Sequence, residues 1–345
     1  MTSGPRRGVE NKIGLTLKDY KGQPSTLCKG CGHNSISNQI VQVAYELDIE
    51  QHTILRLSGI GCSSKSPAYF LGGSFGFNSL HGRMPSIATG ALMANHSLHA
   101  IGVSGDGDTG SIGLGQFKHL IRRNVRMVYV VENNGVYGLT KGQFSATADE
   151  GQVLKYAGEN EFPPVDVCME AIIAGAGFVA RSFSGDAKQV RELLKAALHF
   201  EGTAVLDIIS PCVAFNNADT STKSYGYGRE HEAPLHDFGW VPPAEEIELS
   251  DQLPGELRLV QMHDGSYIKL QKLEEEYDPG NKIEALRRLQ TAHDNQELIT
   301  GLIYLNQNRP TLADVNDLMD TPLAQLRDEQ LRPSRQALAE VMAEF

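Results

Sequence analysis

Residues 98–110 read LHAIGVSGDGDTG and residues 126–134 read RMVYVVENN. Each is an apolar run rich in β-branched residues that stops at a polar turn, the pattern of a buried strand. Between them Leu114, Phe117, Leu120 and Ile121 recur at helical spacing over about Gly110 to Arg123. Strand, helix and strand in so short a span make a right-handed βαβ unit, and its two strands are parallel. Asp106 and Asn134 then lie beyond the carboxyl ends of two adjacent strands, where open α/β sheets bind ligands.

The pattern extends in both directions. Ile36, Ile40, Val43, Ala44 and Leu47 share a helical face, and TILRLSGIG (53–61) follows as a strand running into a glycine turn. Downstream come a helix around Val165 to Ala174 and a second with Val190, Leu193, Leu194, Ala197 and Leu198 on one face. The strand TAVLDIISPC (203–212) closes the series. The expected fold is α/β, a doubly wound, mostly parallel sheet occupying residues 1–241. Residues 242–345 change texture to acidic helical segments around a hairpin at RLVQMHDGSYIKL (258–270) and are expected to form a C-terminal helical and hairpin extension. Its acidic runs are read as solvated helix faces.

The turn GDGDTG carries the most specific chemistry. Glycines at Gly105, Gly107 and Gly110 let backbone amides approach a phosphate while the following helix aims its N-terminus at the anion. Asp106 and Asn134 offer the oxygen ligands that Mg²⁺ prefers, so the pair could bridge the cation to a diphosphate. Glycine and aspartate also make ordinary tight turns, but that leaves the NN unexplained. A dinucleotide fingerprint fits less well, because the loop is not GxGxxG and no ribose-binding acid follows about 20 residues on.

Five cysteines, Cys28, Cys31, Cys62, Cys168 and Cys212, are too few and too odd in number for a disulfide scaffold in a chain of 345 residues. CKGCGH (28–33) has a spacing that suits a zinc knuckle, a redox pair or one edge of an iron–sulfur cluster. Cys62 follows one strand and Cys212 another, so a parallel sheet brings both to the edge that holds Asp106 and Asn134. Four thiolates there suit either Zn²⁺ or a [4Fe–4S] cluster. Cys168, flanked by Met169, Ile172 and Ile173, is read as a buried apolar residue. A net charge of −11 disfavours nucleic acid and anionic membranes as partners. No apolar run is long enough to span a bilayer and the first residues lack the core of a secretory signal, so a cytoplasmic protein is expected.

GDG with NN some two dozen residues later resembles the thiamine-diphosphate motif, which implies Mg²⁺ held by Asp106, Asn134 and the carbonyl of Val136. In order, CKGCGH, GIGCSS, LHGR, GDGD, NNGVYGLTKGQFSAT and PC resemble the beta subunit of 2-oxoacid:ferredoxin oxidoreductases over about residues 20–220. The resemblance implies a thiamine-diphosphate-binding fold and one [4Fe–4S] cluster on Cys28, Cys31, Cys62 and Cys212. It also implies cofactor contacts from Gly61, Ser63, His81, Gly82, Gly105, Asp106, Gly107, Asp108, Asn134, Leu139 and Thr140, with Lys65 and His81 placing the substrate and diphosphate. Lys65 reads equally as a solvated lysine and His81 as a turn histidine. The family's usual GLTGGQxSPT departs here to Lys141 and Ala146. The implied activity is coenzyme A-dependent oxidative decarboxylation of 2-oxoglutarate, or its reversal, with pyruvate as the alternative 2-oxo acid and ferredoxin as the electron carrier. One α/β layer lacks the second domain that thiamine enzymes use, so an obligate alpha subunit is implied, in a heterodimer or a dimer of heterodimers. Two rival readings remain at this point: a non-redox thiamine decarboxylase or synthase half, and a zinc-stapled scaffold subunit without catalysis.

Overall fold

The computed structural model describes residues 8–243, 257–272 and 277–345. Its elements run α1 (Gly32–Glu46), β1 (Ile54–Ser58), β2 (Phe75–Asn78), α2 (Met84–Ala94), β3 (His99–Gly105), α3 (Leu114–Arg123) and β4 (Met127–Asn133). They continue with α4 (Val167–Ala174), β5 (Phe178–Phe183), α5 (Ala187–His199), β6 (Thr203–Ile209), α6 (Tyr225–His231), β7 (Glu232–Pro234) and β8 (His236–Val241). The last group is β9 (Leu257–Gln261), β10 (Tyr267–Lys272), α7 (Lys282–Asp294) and β11 (Leu298–Leu305), followed by short helices up to Arg335–Ala343.

One eight-stranded sheet, in the order β7-β11-β5-β6-β4-β3-β1-β2, forms the body. From β2 through β5 every pairing is parallel. Apart from the exposed edge strand β2, the sheet is covered on both faces, so its strands are mainly apolar and alternate residues serve opposite cores. Val128 and Val130 pack with Ile36 and Ile40 of α1 and Leu193 and Leu194 of α5. Met127, Tyr129 and Val131 pack on the other face with Phe117 and Leu120 of α3, Ala171 and Ile172 of α4 and Leu289 of α7. Cys168 lies fully buried in this second core, the apolar role expected of it.

The doubly wound, mostly parallel sheet is as expected, and the hairpin at 258–270 is present as the antiparallel pair β9 and β10. The chain's division is not. β11, from the expected extension, is inserted into the main sheet antiparallel to β5. The β8 strand, which precedes residue 242, pairs with β10 in a separate three-stranded sheet. A boundary at 241/242 therefore cuts both sheets. The physical reason is that β5 would otherwise end the parallel sheet in an open edge, and LITGLIYL, buried at every residue, covers it.

Candidate functional site

Parallel strands set β1, β3, β4 and β6 with their carboxyl ends on one edge. The residues that follow them, Cys62, Asp106, Asn134 and Cys212, meet there as expected. The turn after β3 is a single turn of π-helix, Gly107–Ile112, that opens directly into α3. Gly107 is required for approach: a Cβ there would stand 2.5 Å from the Tyr137 ring, whose hydroxyl donates to the Gly107 carbonyl at 3.0 Å. Gly135, directly after the NN pair, has a left-handed φ of 74°, which turns the chain back over Asp106.

Asp106 is buried and caged by donors. Gly135 N (3.0 Å), Thr147 Oγ1 (2.7 Å) and Ser145 Oγ donate to its Oδ2, and Asn134 N approaches Oδ1 at 3.3 Å. Burial raises its carboxyl above the ordinary value, against the downward pull of those hydrogen bonds. The Asn134 side-chain oxygen accepts from Val136 N at 3.1 Å, and Asn216 Nδ2 donates to the Asn134 carbonyl at 2.8 Å. Asp106, Asn134 and Val136 are thus joined in one knot.

Asp108 is also buried, and its carboxylate is already engaged. Ser104 Oγ (2.6 Å), Gly82 N (2.7 Å), Ile60 N (3.3 Å) and His81 Nδ1 all reach it. His81 is thereby held through Nδ1, edge-on to Tyr137. Gly82 has a left-handed φ of 70° and Gly61 one of 123°. Ser63 is buried beside Gly105, where its Oγ lies 3.1 Å from the position of a Cβ.

The loop after Asn134 forms a small hairpin, Val136–Tyr137 against Gln143–Phe144, with Leu139 and Thr140 exposed at its tip. Lys141, which stands where the family pattern has glycine, holds a left-handed φ of 78°. That conformation costs a non-glycine residue about 1–2 kcal/mol.

Two of the four expected cysteine ligands, Cys62 and Cys212, lie over this hairpin. A Cβ on Gly138 would lie 3.5 Å from Cys212 Sγ and 3.6 Å from Cys62 Sγ. The CKGCGH loop docks on the same strand end through Gly32 N to Pro211 O (3.3 Å) and Tyr225 Oη to Gly30 O (3.0 Å). Burial pushes the Cys31 thiol up to about 12, helped by the Glu132 carboxyl and the Cys212 and Cys62 thiols. Burial likewise raises Cys62, with Cys212 adding and the Lys65 ammonium opposing. Lys65 itself sits half-buried in the turn Ser63–Ala68, its amide bonded to Cys62 O at 3.1 Å. All five cysteines are free thiols. Among the described residues no three His, Cys, Asp or Glu side chains converge on a single-ion site.

Sequence reasoning passed over the groups between the two halves. Ser66 Oγ donates to Glu132 at 2.9 Å, and His33 Nδ1 lies 2.6 Å from Ser210 Oγ and 3.5 Å from Glu132. Burial drives Glu132 well up and His33 down to about 4, so both shifts favour an uncharged pair. Ser145, Thr147 and Asn133 were passed over as well, because hydroxyls and amides in a turn look like ordinary turn residues. The available signal was the Ser-x-Thr that ends the hairpin loop.

A family model for the C-terminal TPP-binding domain of thiamine pyrophosphate enzymes matches residues 59–208, and one for the C-terminal part of the pyruvate ferredoxin oxidoreductase beta subunit matches residues 268–319. The chain is 41% identical over 194 residues to a 2-oxoacid:ferredoxin oxidoreductase subunit beta of Sulfolobus sp, covering 56% of this chain and 64% of that one. It is 40% identical to the 2-oxoglutarate oxidoreductase subunit KorB of Mycobacterium tuberculosis, covering 58% of this chain and 54% of that one. It thus spans less than two thirds of the length of either. Identity to the corresponding subunit beta of Saccharolobus solfataricus is 38%, over 65% of this chain and 73% of that one. A solved structure of the 2-oxoglutarate:ferredoxin oxidoreductase from Magnetococcus marinus, with 2-oxoglutarate, coenzyme A and succinyl-CoA bound, superposes with a TM-score of 0.73 at 29% identity. That superposition covers 96% of each chain. Sequence identity along most of the Saccharolobus subunit and a shared fold over nearly the whole length lead to one conclusion: this chain belongs to the beta subunits of the 2-oxoacid:ferredoxin oxidoreductases.

Proposed function

We propose that the chain is the thiamine-diphosphate- and cluster-binding subunit of a 2-oxoglutarate:ferredoxin oxidoreductase, which converts 2-oxoglutarate and coenzyme A to succinyl-CoA and CO₂, or runs the reverse carboxylation. The observation that carries this reading is the Asp106–Asn134–Val136 knot at one sheet edge, with Cys62 and Cys212 beyond the ends of neighbouring strands and Cys28 and Cys31 near enough to bear on their charge.

The residues present fit the groups required. Asp106, the Asn134 amide oxygen and the Val136 carbonyl are the hard oxygen donors that Mg²⁺ takes, and Gly107 clears the backbone for a diphosphate. Cys28, Cys31, Cys62 and Cys212 supply the four thiolates of a [4Fe–4S] cluster. When bound, thiamine diphosphate serves as the electron sink for decarboxylation and the cluster accepts the released electrons singly.

The chain's own residues then position and shield. Asp108 serves the cofactor indirectly, by engaging His81 Nδ1 and leaving Nε2 for the open edge. Lys65 places a cation beside the thiols, where it can meet a substrate carboxylate. Leu139 and Thr140, exposed at the hairpin tip, offer contact to cofactor, substrate or partner. An alpha subunit supplies the second thiamine-binding half, and ferredoxin takes the electrons. Among the described residues no helix is long and apolar enough to cross a membrane.

The reading is tested on the complex purified anaerobically with its partner, by iron, acid-labile sulfide and EPR, before and after each 2-oxo acid is added with coenzyme A. About four irons per chain, reduced on adding 2-oxoglutarate, is expected. Reduction by pyruvate alone would move the substrate, and zinc in place of iron would refute the redox role.

A further inference from the structure

The cation knot accounts for Asn134, the second asparagine of the NN pair, and leaves the first without a task. Asn133 ends β4 fully inside the protein, at 3% exposure. Its neighbours form an unbroken polar line across four adjacent strands. Asp166, the cap of α4, binds Arg181 Nη2 on β5 at 2.8 Å, and Arg181 Nε binds Asp207 Oδ2 on β6 at 3.0 Å. Arg181 and Asp207 are register partners in the sheet. Asp207 Oδ1 receives Asn133 Nδ2 at 2.9 Å, and Asn133 Oδ1 lies 2.8 Å from Thr147 Oγ1. Thr147 Oγ1 in turn lies 2.7 Å from Asp106 Oδ2.

Hydrogen-bond arithmetic gives this line a direction. A carboxylate paired with Arg181 only accepts, so Asn133 must turn its NH₂ to Asp207 and its oxygen to Thr147. The Thr147 hydroxyl has one hydrogen for two acceptors, Asn133 Oδ1 and Asp106 Oδ2, and divides it between them in a three-centre bond. Asp106 is held asymmetrically as a result. Its Oδ2 is gripped by Gly135 N, Ser145 and Thr147, whereas among the described residues Oδ1 meets only Asn134 N, at a long 3.3 Å. One oxygen is anchored and the other is presented.

We propose that the buried line Asp166–Arg181–Asp207–Asn133–Thr147 fixes the Asp106 carboxylate with Oδ1 turned to the cation, and that Asn133 is its positioning residue. This rests on the reading of Asp106 as a cation ligand. Outer partners of metal ligands typically change metal affinity by about 10–100-fold when removed.

The test uses the full chain with its partner subunit, stripped of cations by a chelator and supplied with thiamine diphosphate. Mn²⁺ is then titrated, with free Mn²⁺ read by EPR and thermal unfolding recorded without metal. Thr147→Val should weaken Mn²⁺ binding about 10-fold or more, and Thr147→Ser, which keeps the hydroxyl, should stay within about 3-fold of wild type. Asp207→Asn should also weaken it, and the double variant Asp207→Asn/Thr147→Val should be no weaker than the worse single, since Asp207 reaches Asp106 only through Asn133 and Thr147. Asn133→Leu, which spares the Arg181 ion pairs, stands in should Asp207→Asn not fold. Unchanged Mn²⁺ affinity in Thr147→Val, or losses that multiply in the double variant, would overturn the relay. A wild-type complex that binds no Mn²⁺ would overturn the cation reading beneath it, a result that the variants cannot imitate.

Discussion

The two halves of the site are built on opposite plans. On the Asp106 side both carboxylate oxygens already meet protein donors, and the supporting hydroxyls and amides are themselves buried and bonded. On the cysteine side Cys62 and Cys212 lie at Gly138 with the CKGCGH loop docked on the same strand end, all as free thiols, and Cys31 and Cys62 are pushed by burial toward the neutral form. A carboxylate caged by donors is preorganised and needs little rearrangement when its cation arrives. Buried thiols crowded together become thiolates only when a metal takes their protons' place. The fold makes the first half in advance, and the occupant must complete the second.

Serine at a cysteine ligand puts that contrast under the greatest strain. Cys31→Ser or Cys212→Ser should drop iron from about four per chain to near none, as read by metal analysis and visible absorbance. Mn²⁺ and thiamine diphosphate affinity should hold within about 3-fold, because the Asp106 cage draws on no thiol; loss of both together would show that the halves are not independent. The converse change, Asp106→Ala, should weaken cation and thiamine diphosphate binding by more than about 100-fold in calorimetry, while iron content stays the same.

A smaller effect comes from the glycine that clears the preorganised half. Gly107→Ala drives a Cβ into the Tyr137 ring and should lower stability by about 1–3 kcal/mol in denaturant unfolding. Adding Tyr137→Leu should recover part of it; no recovery would place the clash elsewhere.

The far, amino edge of the sheet serves as a control. Burial, with the Arg126 and His199 charges, holds His99 down to about 4. The unfolded chain takes up that proton near pH 6.5 and the folded one does not. Stability from this residue is therefore present above about 6.5, falls as pH drops toward 4 and levels off below, by at most about 3 kcal/mol. His99→Gln should flatten that part of a pH–stability curve and leave iron and Mn²⁺ binding alone.

The legible parts of the molecule were those with a one-dimensional signature. RMVYVVENN is apolar because both sheet faces are covered, and GDGD lies where strand turns into helix, so β4 and Asp106 could be read off directly. β11 was not legible as part of the main sheet, since an antiparallel strand entering from a distant segment obeys no βαβ rule. The exposed edge strand Phe75–Asn78 is short and carries no apolar alternation facing a core. Asp108 is expected against the cofactor, and composition cannot say that Ser104, Gly82 and His81 also reach its carboxylate. Asn133 and Thr147 were invisible for the same reason: their meaning is a set of partners up to 74 positions away.

The placement of β11 also has a bearing on how the protein is made. Phe183 leaves the ribosome 115 residues before Leu298, so at about 5–20 residues per second the free edge of β5 waits roughly 6–23 seconds for its covering strand. During that interval the segments bearing Asp106 and Asn134 are already outside and Cys212 follows them out, beside an open apolar edge of the kind that invites wrong pairing between nascent chains. A chain cut before residue 298 would stay in that condition for good. Expression yield of such truncations should therefore fall through aggregation, even though every candidate ligand is still encoded.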